Sequence, residues 1–111
     1  MNKISYEERA KVYTDALAIF GPSEQLIVAL EELSEAQKEI CKALRGKCNS
    51  AHLAEEVADA TIVLEQVRQI FDINESVCEM MDSKILRLQK NIQKEKDRIS
   101  LRRSFAGSGE G

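Results

Sequence analysis

A chain of 111 residues is long enough for one domain with a core but small for its surface, so completion by a second copy is expected. Sixteen basic and nineteen acidic residues leave a formal charge of -3, which offers no general attraction to nucleic acid. One proline, five glycines, two tyrosines, three phenylalanines and no tryptophan favour helices over a sandwich or barrel. Ser5 and Glu8 have capping-box spacing, and Ala10, Val12, Tyr13, Ala16, Leu17 and Phe20 continue a first helix. "FGPSEQ" interrupts it, with Ser23 the expected cap of a second helix. The main apolar stripe of that helix is Leu26, Leu30, Leu33, Ile40 and Leu44, and it ends near Gly46 in the loop "RGKCNS". Asn49 or Ser50 caps a third helix over about Ala51 to Phe71. "DINES" precedes a long fourth, begun at Asn74 or Ser76, with Met81, Ile85, Leu88 and Ile92 on one seam. Residues 1–104 form the helical domain, and 105–111, ending in "AGSGEG", read as a disordered tail.

The apolar runs "ALAIF" and "LIVAL" fall far short of the ~20 residues a bilayer span needs, so no membrane association is expected. Cys41, Cys48 and Cys78 are odd in number, lack C-x-x-C spacing and follow no signal-like start. They read as reduced thiols of a cytoplasmic protein, with no zinc site.

The acids carry the chemical signal. Glu32 and Glu35 stand three apart on the second helix, and Glu56 and Asp59 repeat the spacing on the third. Such a spacing sets two side chains about 60° apart and one turn along, so both reach one point beside the helix. Glu56 shares its strip with Leu53, Ala60, Val63 and Val67, whereas Glu32 shares one with Gln25, Val28, Ala36 and Ala43. The 20 residues between Glu35 and Glu56 hold the rest of one helix, a tight loop and the start of the next. The two helices then run antiparallel with their acids facing.

One Glu-x-x-Glu is ordinarily a solvated face; two on consecutive helices, one lying in an apolar strip, are not. Carboxylates converging in a partly dry place repel each other and lose hydration, and a divalent cation compensates both. All-oxygen ligation suits magnesium, with manganese as substitute; the missing histidine in either pair disfavours a di-iron centre.

"EELSE" (Glu31 to Glu35) followed by "EEVAD" (Glu55 to Asp59) resembles the E-E-x-x-E … E-x-x-D signature of MazG-like all-α nucleoside triphosphate pyrophosphohydrolases. The resemblance covers about Phe20 to Ile92, with "FGPSEQL" like the lead-in to the family's first acidic helix and "DSKILRLQKNI" like its closing helix. It implies a bundle of about four helices and hydrolysis of a nucleoside triphosphate between the α and β phosphates, for nucleotide-pool cleaning. It also implies a homodimer or homotetramer. The matching positions imply Glu32, Glu35, Glu56 and Asp59 as magnesium ligands and Glu31 as an outer-shell residue; one of the acids serves as the water-activating base, with Glu35 preferred, and the sequence does not decide which.

Lys84, Arg87 and Asn91 share a strip of the fourth helix, where the family's closing helix turns basic and amide groups toward phosphate; a solvated face reads equally well. Gln25 is placed to meet sugar or base, or to cap a neighbouring helix. His52 reads as a surface or interface residue rather than a ligand, and Lys47 as a loop lysine facing water. With no aromatic near the motif, base stacking falls to Phe20, Tyr13, Phe71 or another subunit, which leaves base preference open. The chain is shorter than two-domain relatives, which implies a single catalytic unit. The competing class is a non-enzymatic helical oligomerisation module built on the fourth-helix seam, and such a module has no need of inward acids. A nucleic-acid binder using "KEKDRISLRR" is disfavoured because acids interleave the bases.

Overall fold

The computed structural model describes residues 3–108, which form four helices and no strand. The Ser5 hydroxyl accepts the Glu8 amide at 3.1 Å and starts α1 (Tyr6–Phe20). Gly21, at φ +85°, closes α1 by donating its N–H to the Leu17 carbonyl at 2.9 Å, in a region strained for any residue with a Cβ. That glycine is also the N-cap of α2 (Pro22–Leu44). Pro22 occupies the first turn, where the missing backbone donor costs nothing, so Ser23 lies inside the helix rather than capping it.

Gly46, at φ +73°, follows the end of α2. Asn49 then caps α3 (Ser50–Ile70), its side-chain oxygen accepting the His52 amide at 3.2 Å. The last element, α4, runs Asn74–Ser108. It takes in Phe105 to Ser108, the first part of the segment read as a tail, because extending a formed helix adds one hydrogen bond per residue without a new nucleus. The remainder of that segment, 109–111, lies outside the described residues.

The chain divides into two units, Met1–Asn74 and Glu75–Gly111. In the first, α2 and α3 pack along their length and α1 rests more lightly on both. The buried apolar side chains are small: Ala29, Ala36 and Val63. This corrects the expected stripe of α2. Leu26 and Leu33 are half-buried, but Leu30, Ile40 and Leu44 are exposed. The face turned inward is the strip of Glu32, with Gln25, Val28, Ala36 and Ala43 all buried or half-buried. Small residues let two helices approach closely, and bulkier leucines are displaced to the flank, where solvent meets them.

Polar links hold α1 in place. Tyr13 donates its hydroxyl proton to Glu65 at 2.6 Å, Arg9 pairs with the same carboxylate at 3.3 Å, and the Gln69 amide donates to the Thr14 hydroxyl at 2.7 Å. Burial, then the Glu65 hydrogen bond and charge, push the Tyr13 phenol up to about 12.

In the second unit, the seam residues Ile85, Leu88 and Ile92 are exposed along α4. Among the described residues no helix is long and apolar enough to cross a membrane.

Candidate metal centre

Helix α2 presents Glu32 between the half-buried Val28 and the buried Ala36 of the same strip, so this carboxyl is carried into the α2·α3 contact and loses water there. From α3, Glu56 and Asp59 arrive at the same level, with Leu53, Ala60 and the buried Val63 on the same strip of the helix. One carboxylate oxygen from each of Glu32, Glu56 and Asp59 lies within 4.8 Å of the others.

Three carboxyls at that spacing cannot all ionise at their ordinary values. Glu32 carries the cost: burial raises its pKa, the charges of Asp59, Glu56 and Glu35 raise it further, and a hydrogen bond to Asp59 favours its protonated form. Glu56 shows the same shortage of positive partners in another way. Its Oε2 is buried and has no hydrogen-bond partner among the described residues. An acceptor oxygen taken from water and given nothing in return costs stability unless a cation or donor reaches it. The donor set is all oxygen, it is half-buried, and it holds an orphan lone pair; these properties fit a hard divalent cation.

Of the four acids expected as ligands, the structure therefore brings three together. Glu35 is exposed and accepts from the Lys38 ammonium at 3.2 Å, although its charge is still felt at Glu32. Glu31 is exposed on α2. Gln25 uses its side-chain oxygen to accept from the Gln66 side-chain amide at 2.7 Å, a cross-helix contact to a residue within α3 rather than the helix cap that is one of its two readings. Lys84, Arg87 and Asn91 are exposed on α4, in the second unit.

Sequence reasoning missed Glu39, the only charged residue among the described ones that is buried. Its side chain is 7 % exposed, and it accepts from the Lys42 ammonium at 3.1 Å and sits 3.3 Å from His52 Nδ1. The Lys42 hydrogen bond, aided by the charges of Lys42 and His52, holds its pKa below the usual value against the opposing effect of burial. The signal that was available is its spacing: Glu39 follows Glu32 by seven residues and so returns to the same strip. His52, read as a surface or interface residue, is half-exposed and serves the helix interface.

No family model, no curated protein and no solved structure matches this chain.

Proposed function

We propose that the protein is a magnesium-dependent nucleoside triphosphate pyrophosphohydrolase, cleaving a nucleoside triphosphate to the monophosphate and pyrophosphate. The observation that carries this reading is the meeting of Glu32, Glu56 and Asp59 within 4.8 Å, with Glu56 Oε2 buried and unsatisfied. Converging carboxyls in a half-dry place are relieved by a proton or by a divalent cation, and the unsatisfied oxygen of Glu56 favours the cation. The resemblance of "EELSE" and "EEVAD" to the MazG-like signature supports the same reading and supplies the reaction class.

In this proposal Glu32, Glu56 and Asp59 would hold magnesium, or manganese in its place, which would supply charge neutralisation to the triphosphate. Glu35, one turn from Glu32 on the exposed side, releases Lys38 and accepts the proton of the attacking water. The water oxygen bonds to the α phosphorus as the bond from that phosphorus to the bridging oxygen breaks, and the electron pair leaves with pyrophosphate. Glu31 supports this group from the outer shell. Gln25 is engaged with Gln66 and stands outside the substrate-binding set. The exposed apolar side chains of α2 and α4 suit assembly into a homodimer or homotetramer. Three free cysteines suit a cytoplasmic setting.

A second reading, a helical oligomerisation module without catalysis, draws on the exposure of Ile85, Leu88 and Ile92 at heptad spacing on α4. It leaves the orphan oxygen of Glu56 without purpose. The deciding experiment incubates the protein with magnesium and a panel of canonical and modified nucleoside triphosphates and measures pyrophosphate. Release from at least one nucleotide, lost in Glu56→Gln with helical circular dichroism retained, supports the enzyme; no release from any nucleotide removes it.

A further inference from the structure

The α2·α3 interface is built in layers that repeat every seven residues. Gln25, Glu32 and Glu39 follow one another at that interval along α2, and Gln66, Asp59 and His52 follow at the same interval in the reverse direction along α3. The outer pairs are joined, Gln66 Nε2 donating to Gln25 Oε1 at 2.7 Å and His52 Nδ1 standing 3.3 Å from Glu39 Oε1. The middle pair, Glu32 with Asp59, belongs to the acid centre. Seven residues of α-helix advance about 10.5 Å, so a polar clamp stands two turns to either side of the acids.

We infer that Glu39 with His52, and Gln25 with Gln66, are positioning residues that fix the sliding register of α2 against α3 and so hold Glu32 opposite Glu56 and Asp59. This inference rests on the metal-site reading for its functional meaning, and on the two measured contacts for its geometry. Small inward side chains such as Ala29 and Ala36 make close but nearly featureless packing, which resists sliding weakly. The acids set the register weakly, because the one hydrogen bond between Glu32 and Asp59 is opposed by the charges of Asp59, Glu56 and Glu35. The clamps set it firmly, since every one-turn slip is penalised. A slip in one direction brings Glu39 against Glu55 and Glu56, like charge on like charge, and sets Glu32 against Ile62 and Val63. A slip in the other sets Glu39 at Cys48 and Asn49, without its imidazole, and Gln25 at Ile62 and Val63. Either way a buried or half-buried polar group loses its partner. Paired polar groups that pin helix register have this effect in other helical assemblies.

The test uses manganese alone as probe, with free ion measured by its paramagnetic resonance, and amide hydrogen exchange over Leu53 to Asp59 as a metal-free readout. His52 is half-exposed, so its variants fold even if Glu39→Ala does not. Each protein is compared only where circular dichroism finds it fully helical. His52→Ala is expected to weaken manganese binding by about tenfold, the scale of a lost supporting contact to a metal ligand set. His52→Asn, which keeps a donor near the position of Nδ1, should restore most of it. Glu39→Ala should have a similar effect, and the double variant should be no worse than either single one.

Wild-type affinity in His52→Ala overturns the inference, as does a loss that His52→Asn fails to restore. Should the wild-type protein bind no manganese, the metal reading falls by itself and exchange decides the register. Faster exchange in His52→Ala, reversed in His52→Asn, upholds the clamp; unchanged exchange overturns it.

Discussion

Glu32 and Glu39 lie seven residues apart on one strip of one helix, both turned into the same neighbour, and their chemistry is opposite. The charges felt at Glu32 are those of Asp59, Glu56 and Glu35, and its proton is held more tightly than in water. Around Glu39 stand Lys42 and His52, and its proton is given up more readily, although it is the more buried of the two. Burial alone therefore does not set the charge state of a carboxyl; the sign of what is buried with it does. One layer gathers acids whose charges oppose one another. The other is neutralised and suited to holding the helices together.

The widest gap between the layers should be in catalysis. Glu56→Gln or Asp59→Asn should lower pyrophosphate release by about two orders of magnitude or more, the scale on which loss of a charge-stabilising group acts, as read by a pyrophosphate assay. Release at the wild-type rate in either variant would break the comparison at its functional end.

Next comes the response to metal. Magnesium or manganese at a hundred times its dissociation constant should stabilise the folded protein by about 2.7 kcal/mol and shift the melting temperature by on the order of ten degrees. The shift should be absent in Glu56→Gln.

Without metal, the two acids should answer truncation with opposite signs. Glu39→Ala, which leaves Lys42 and His52 facing each other, should lower the melting temperature by several degrees. Glu32→Gln removes a charge that its neighbours oppose and should raise it by a few degrees at neutral pH.

The pH profiles sharpen this further. Glu32 has a folded pKa raised above the ordinary 4.5, so its contribution is fully present below 4.5 and is lost as pH rises through the raised value. Glu39 has a folded pKa below 4.5, so its contribution is present above 4.5 and is lost as pH falls through the lowered value. The wild-type protein should accordingly differ most from Glu32→Gln at neutral pH and least in acid. The difference from Glu39→Gln should likewise shrink as acid is added, but with opposite sign, and thermal melts across the acid range measure both.

The smallest effect belongs to α1. Tyr13 titrates at about 12 rather than 10.0, so the stability it lends through Glu65 is complete below 10.0 and fades as pH rises through about 12. Tyrosinate absorbance, compared with Tyr13→Phe, reports the late titration.

Much of this was legible in the residues. Ser5 and Asn49 were readable as caps because a short oxygen-bearing side chain before a periodic run has few better uses. The acid positions were readable because a spacing of three residues has one geometric meaning on a helix. The stripe of α2 was misread because leucines were counted as the inward face, whereas alanines allow the closer approach. Glu39 was missed because its partner His52 stands thirteen residues away in the chain, across a loop whose geometry no local pattern specifies.

Periodicity and capping chemistry act within one turn, so the amino-acid order by itself determined four helices, the caps at Ser5 and Asn49, and two acid pairs at one-turn spacing on consecutive helices. The sliding register is a long-range quantity, decided by which side chains meet once two helices pack. Only the tertiary structure could select Glu32, Glu56 and Asp59 as the three that converge, turn Glu35 to Lys38, and set Glu39 against His52.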